Sequence, residues 1–151
     1  MQTFRDKGFG LLGKREYSVH EFRMKLVTKF PKEKEGIEEF IIELKGKKFL
    51  SNERFCALFI EDQVLKRTTG PRKIIQKLRL KGIYEDTAKQ AVLEHFTFDD
   101  QIEIAQALIV KKKAEIRRRK KDITEFELTQ KGKEFLYGKG FGNDVMDAVD
   151  L

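Results

Sequence analysis

The sequence predicts an all-α protein made of three tandem three-helix repeats that form an elongated, curved array. Three observations predict it. Apolar residues recur at i, i+3, i+4 and i+7 along most of the chain, and strand-like alternation is hard to find. Helix-start signals recur, in two places a hydroxyl residue followed three positions later by Glu. Similar blocks also return at long intervals: Phe22-x-x-x-Leu26-x-x-x-Phe30, Ile74-x-x-x-Leu78-x-x-x-Gly82 and Gly132-x-x-x-Leu136-x-x-x-Gly140. Leu26 to Leu78 is 52 positions and Leu78 to Leu136 is 58, a period of the size that helical repeat arrays use.

Each unit reads as a leading, a middle and a closing helix. In the first unit, residues 1–48, the leading helix over about 4–16 carries Gly8, Gly10 and Gly13. Each glycine costs about 1 kcal/mol relative to Ala, so this helix frays or is held by tertiary contacts. The middle helix over 18–30 opens on Ser18-Val19-His20-Glu21, a capping box flanked by Tyr17 and Phe22 as a hydrophobic staple. The closing helix over 35–46 carries the stripe Ile37, Phe40, Ile41 and Leu44.

The second unit, residues 49–97, starts with a helix over 52–67, capped by Ser51 and stapled by Leu50 and Phe55. Pro71 opens its middle helix over 71–81, at the position where a missing N–H costs nothing. Ile74, Ile75 and Leu78 form that helix's stripe; Ala88, Ala91 and Val92 form the stripe of the closing helix over 85–95. In the third unit, residues 98–151, the helices fall over 99–119, 124–138 and 142–150. The middle one begins at the capping box Thr124-Glu125-Phe126-Glu127, between Ile123 and Leu128, and the closing one carries Val149.

Composition narrows the function. Charged residues make up 38% and hydrophobic residues 40%, a balance that suits exposed helices with one buried stripe each. Lys and Arg number 32 against 25 Asp and Glu, and the net charge of +7 favours an anionic partner, nucleic acid or an acidic protein assembly. Cys56 is the one cysteine, which excludes an internal disulfide and any multi-cysteine metal site. It lies in the apolar run Phe55–Ile60 and reads as a core residue. No apolar run reaches the length of a signal peptide or membrane span, so a cytoplasmic protein with no membrane contact is expected.

Catalytic constellations are lacking. His20 sits in a capping box and His95 near a helix end, without a further His or Cys at ligand spacing. Gly8-Phe9-Gly10 is not followed by the Gly-Lys-Ser/Thr of a phosphate-binding loop. Carboxylates such as Glu35 and Glu39 read as i, i+4 partners of Lys and Arg. The expectation is a monomeric binding protein with no enzymatic activity, metal or cofactor.

Two basic segments are the candidate partner-binding residues. Lys111, Lys112, Lys113, Arg117, Arg118, Arg119, Lys120 and Lys121 form a collar around a helix end. It either meets phosphates or acidic groups, or is a solvated helix end complementing the macrodipole. Gly70-Pro71-Arg72-Lys73 offers a basic helix start of the kind that holds anions, extended by Lys77, Arg79 and Lys81. Among the aromatics, Phe96 and Phe98 are expected in the core, with Tyr84 and Tyr137 outside it and free to stack on bases or partner side chains.

Four segments, in order, resemble the RecX family along nearly the whole chain. Leu11-Leu12-Gly13-Lys14-Arg15-Glu16-Tyr17-Ser18-Val19-His20-Glu21-Phe22 resembles its opening segment. Phe49-Leu50-Ser51-Asn52-Glu53-Arg54-Phe55-Cys56 is similar to its second signature, with Asn52 in place of the usual Asp and Cys56 in place of Ala. Gly70–Ile83 is similar to the third and most specific one, and Gly140-Phe141 to a Gly-Phe near the family's C-terminus. The glycine-rich leading helix and Gly132, at an expected apolar position, depart from the pattern. The resemblance implies a modulator of the recombinase RecA, active in homologous recombination, DNA repair and the SOS response. Such a protein lodges in the groove of the RecA filament on single-stranded DNA, spans neighbouring subunits and inhibits ATPase, strand exchange and coprotease activity. The rival expectation is a direct nucleic-acid binder with a helix-turn-helix-like pair; the leading one allows only weak direct contact with DNA.

Overall fold

Nine helices follow one another in the computed structural model, which describes residues 1–151, and no strand forms. They are α1 (Phe4–Leu12), α2 (Val19–Lys29), α3 (Lys34–Gly46), α4 (Asn52–Lys66), α5 (Pro71–Leu80), α6 (Glu85–His95), α7 (Phe98–Arg119), α8 (Glu125–Gly138) and α9 (Asn143–Ala148). Each expected helix is present. The largest difference is α1, which stops at Leu12 and not at 16. Gly13 caps it, and the amides of Lys14 and Arg15 fold back onto the Leu11 carbonyl at 3.0 and 3.4 Å. At the other end α9 stops at Ala148, so Val149 is buried just beyond the helix.

The helices build two compact units. One comprises Met1–Phe59 with Leu78–Ala91; the other comprises Ile60–Lys77 with Val92–Leu151.

In the first unit the stripe Ile37, Phe40, Ile41 and Leu44 is at most 1% exposed. Phe40 is its centre, with the rings of Phe4, Phe9 and Phe22 at 5.8, 5.3 and 6.1 Å. Gly8 explains how α1 reaches this cluster. A Cβ there would stand 2.6 Å from the Phe40 ring and 3.0 Å from that of Phe22, so the helix approaches only because position 8 has no side chain. A capping box at Thr3 and Asp6 secures its start.

The capping box at Ser18 forms as expected, with Glu21 as its acidic member. It also does more than cap. The Ser18 hydroxyl donates to the Lys81 carbonyl at 2.7 Å, and the Asn52 side chain accepts from the Val19 amide at 2.8 Å. Asn52 therefore supplies the same kind of acceptor oxygen that Asp would. Gly82, at φ +82°, lets the end of α5 seat there, because a Cβ would overlap that of His20. Arg54 locks the α3–α4 turn, donating to Glu16 at 2.6 Å and to the carbonyls of Lys48 and Phe49 at 2.9 and 3.3 Å.

In the second unit α7, α8 and α9 pack on one another around Ile104, Ile109, Leu128, Leu136, Phe141 and Val145, each at most 1% exposed. Gly132 has a packing reason. A Cβ there would lie 2.9 Å from Ile109 Cδ1, so the missing side chain is replaced by Ile109 of α7 and, at 3.5 Å, Leu151. The start of α5 meets the end of α8: the Gly70 amide donates to the Lys139 carbonyl at 2.7 Å and the Arg72 amide to that of Gly140 at 3.0 Å. Gly140 sits at φ +99° and Gly70 leaves no room for a Cβ beside it.

Candidate functional site

The two basic segments differ in what they touch. On α5 most of the cations are tied into the protein. Arg72 stacks on the Tyr137 ring at 4.1 Å and donates to the Tyr137 carbonyl. Lys73 packs on Gly140, and Lys77 donates to Gln63 at 2.9 Å. Lys81 pairs with Glu21 at 3.0 Å, and Arg79 lies 4.0 Å from Glu85. The helix start at Gly70-Pro71 is not open to an external anion either, because the carbonyls of Lys139 and Gly140 take its amides. The sequence could not show this, since those carbonyls come from 68 and 69 positions away.

The collar lies on the last turns of α7 and just past its end. Arg117 pairs with Glu125 at 3.5 Å, Lys120 with Glu127 at 3.2 Å, and Lys112 and Arg119 share Glu115 at 3.6 and 3.2 Å. Lys111, Lys113, Arg118 and Lys121 form no ion pair. Lys111 and Arg118 are seven residues apart and share one helix face. Residues 111–139 hold eleven Lys and Arg against five Asp and Glu, a surplus of six out of the chain's net seven. The basic character of the protein is thus concentrated on the end of α7 and the two lysines just past it, while α8 holds two Lys against three Glu.

Tyr84 and Tyr137 are exposed at 85% and 60%, while Phe96 is buried. Phe98 departs from expectation: it is the first residue of α7 and 45% exposed, because the first turn of α7 faces outward before its stripe begins. Glu35 and Glu39 form no ion pair; the i, i+4 pairs fall instead at Glu43–Lys47, Asp62–Lys66, Glu85–Lys89 and Glu115–Arg119.

Two groups, Cys56 and Glu21, are shifted by their surroundings. Burial raises the Cys56 thiol to about 11, helped by the nearby charge of Glu53, so it is a protonated core residue. Burial also acts to raise the Glu21 carboxyl, but hydrogen bonds from Lys81, Arg15 and the Ser18 amide outweigh it and hold the group below its ordinary value. No group of three or more His, Cys, Asp or Glu side chains is placed to hold a metal ion, and no helix is long and apolar enough to cross a membrane.

Known proteins resemble this chain in sequence and in fold. A regulatory protein RecX of Actinobacillus pleuropneumoniae serotype 5b (strain L20) is 34% identical over 134 residues, spanning 89% of this chain and 82% of that protein. The chain belongs to the RecX family. The family's second three-helix domain matches residues 51–92, which hold α4, α5 and most of α6. The regulatory protein RecX of Bacillus subtilis (strain 168) is 34% identical over 113 residues, which cover 75% of this chain but 41% of the relative. The chain thus spans less than half the length of the Bacillus RecX proteins it matches. The fold is that of RecX from Lactobacillus salivarius, whose crystal structure matches over 96% of this chain and 90% of that one, with a TM-score of 0.85 at 21% identity. RecX is a family of regulatory proteins, and the residues that carry its signatures here, Ser18, Asn52, Arg54 and Gly70, hold helix ends together.

Proposed function

We propose that this protein regulates the recombinase RecA by binding, without catalytic turnover and in the cytoplasm. It lodges in the groove of the RecA–single-stranded DNA filament and inhibits ATPase, strand exchange and coprotease activity. The triplets α1–α3, α4–α6 and α7–α9, residues 1–48, 49–97 and 98–151, act as three repeat units that together bridge neighbouring subunits. The observation that carries this reading is the concentration of six of the seven net charges on residues 111–139, in a chain of a regulatory family. Such a pole steers the protein to a polyanionic assembly.

On this reading the collar supplies the main contact, with Lys111, Lys113, Arg118 and Lys121 unencumbered by carboxylates. Arg72, Lys73, Lys77, Arg79 and Lys81 contribute mainly by holding α5 in place. The test is a titration of RecA ATPase on single-stranded DNA with the purified protein. Saturable inhibition is expected, and no effect at saturating amounts overturns the proposal. Binding that prefers bare DNA to the filament, and weakens on both with a steep counterion-release slope, would favour a direct nucleic-acid binder instead.

A further inference from the structure

A groove of about 510 Å³ runs between α7 and α8. Half-buried Ile116 and Phe135 form its floor, and Lys112, Arg119, Lys120 and Lys131 its rim, with Glu134 the one carboxylate among the lining residues. We infer that this groove docks an acidic peptide segment bearing apolar side chains, presented by the protein partner.

Three features select that occupant. The groove lies within the segment that carries a surplus of six positive charges, so it attracts anions. The rim cations already hold carboxylates of their own chain: Glu115 lies between Lys112 and Arg119, and Glu127 pairs with Lys120. Of these, the exposed Lys120–Glu127 pair contributes little and the half-buried Glu115 is shared by two cations, so an incoming carboxylate replaces the former at small cost and joins the latter, and Lys131 has no carboxylate to give up. The floor distinguishes peptide from nucleic acid. A sugar–phosphate backbone has no use for Ile116, and two ammonium groups, Lys112 and Lys139, stand over the Phe135 ring at 5.2 and 5.6 Å, where a stacked base would need to lie. An acidic peptide uses both parts, its carboxylates on the rim and its apolar side chains on the floor.

The inference rests on the RecA reading only for the identity of the partner. The probe is a fluorescein-labelled peptide of alternating Glu and Leu, measured by anisotropy with the full chain, beside poly-Glu of equal length and a single-stranded oligonucleotide. Lys131→Glu with Arg119→Glu is expected to weaken the Glu-Leu peptide about tenfold or more. Phe135→Ala should weaken that peptide while leaving poly-Glu unchanged. Both substitutions in the first variant are on exposed residues, so it keeps the test valid if Phe135→Ala fails to fold. Unaltered peptide affinity in the charge-reversed variant overturns the inference, as does an oligonucleotide whose binding depends on Phe135. Peptide binding without filament binding removes the RecA reading alone; filament binding without peptide binding removes the groove alone.

Discussion

The Ser18 hydroxyl and the Lys81 carbonyl meet at 2.7 Å across 63 positions of sequence. The same oxygen of Ser18 accepts from the Glu21 amide at 3.1 Å, so one side chain caps α2 and holds the end of α5. The joint recurs in the register of the repeat. Gly70 stands 52 positions after Ser18, as Leu78 does after Leu26, and Lys139 stands 58 after Lys81, as Leu136 does after Leu78. There the Gly70 amide does what the hydroxyl does at Ser18, again at 2.7 Å. The left-handed glycines Gly82 and Gly140 occupy equivalent places in both. A repeat that looked in sequence like a spacing of apolar residues is, in the fold, also a repeated fastening of helix ends.

Ser18→Ala removes two interactions at once. Loss of the cap costs about 1 kcal/mol, and leaving the Lys81 carbonyl without its donor costs about 1–2 kcal/mol more. Thr124→Ala removes a cap of the same kind, the oxygen that accepts from the Glu127 amide at 3.1 Å, on an exposed residue with no second role. It should cost only about 1 kcal/mol. Urea unfolding of the two variants measures the difference, and equal losses would show that the joint contributes nothing.

Gly8 and Gly10 lie two residues apart in α1 and should respond oppositely to Ala. Gly8→Ala drives a methyl group into the Phe40 and Phe22 rings, and overpacking of this sort costs about 1–3 kcal/mol. Nothing lies within 4 Å of a Cβ at Gly10, so Gly10→Ala gains helix propensity and stabilises by up to about 1 kcal/mol. Thermal unfolding should place the two on either side of the unaltered chain.

That contrast marks how far the sequence was legible. Helix positions were readable because Ser18, Pro71 and Thr124 signal starts locally, and stripes such as Ile37–Leu44 signal burial at a fixed period. Gly8, Gly10 and Gly132 look alike in one dimension, as costs to a helix, yet Gly8 and Gly132 are contact points whose partners, Phe40 and Ile109, come from other helices. The basic residues show the same limit. Nothing near Arg72 announces Tyr137, and nothing near Gly70 announces the carbonyls that close its helix start. The collar's composition was plain from Lys111 to Lys121, and Glu115 is a local partner for Lys112 and Arg119; that Arg117 and Lys120 are also paired depends on Glu125 and Glu127 of the next helix.

Glu21 gives the joint a dependence on pH. Its carboxyl is held below the ordinary value in the folded chain, so its contribution is fully present above the unfolded value near 4.5 and is lost as pH falls through the lower, folded one. Glu21→Gln should therefore lower stability at pH 7 and narrow its gap to the unaltered chain as the solution becomes more acidic than about pH 4.5. Chemical denaturation at pH 7, 5 and 3.5 reads this directly. A gap that stays constant across the series would mean that Glu21 gains nothing from Lys81 and Arg15.

If the collar touches its partner, the position of the lost charges must matter and not their number alone. Replacing Lys111, Lys113, Arg118 and Lys121 with Gln takes the net charge from +7 to about +3 without orphaning a carboxylate. Replacing Lys14, Lys25, Lys32 and Lys34, which are exposed and likewise unpaired, removes as much charge from the other end of the sequence. Both variants should keep their stability within about 0.5 kcal/mol per substitution, since all of these side chains but the half-buried Lys113 are exposed. Net charge falls alike in the two, so a larger loss in the collar variant reports the position of the charges and not their number. The collar variant is expected to need about tenfold more protein for half-maximal inhibition of RecA ATPase, and the control about twofold. Its affinity should also fall less steeply with added salt, because fewer counterions are released on binding. Equal losses in the two variants would assign the effect to net charge and remove the collar as a contact surface.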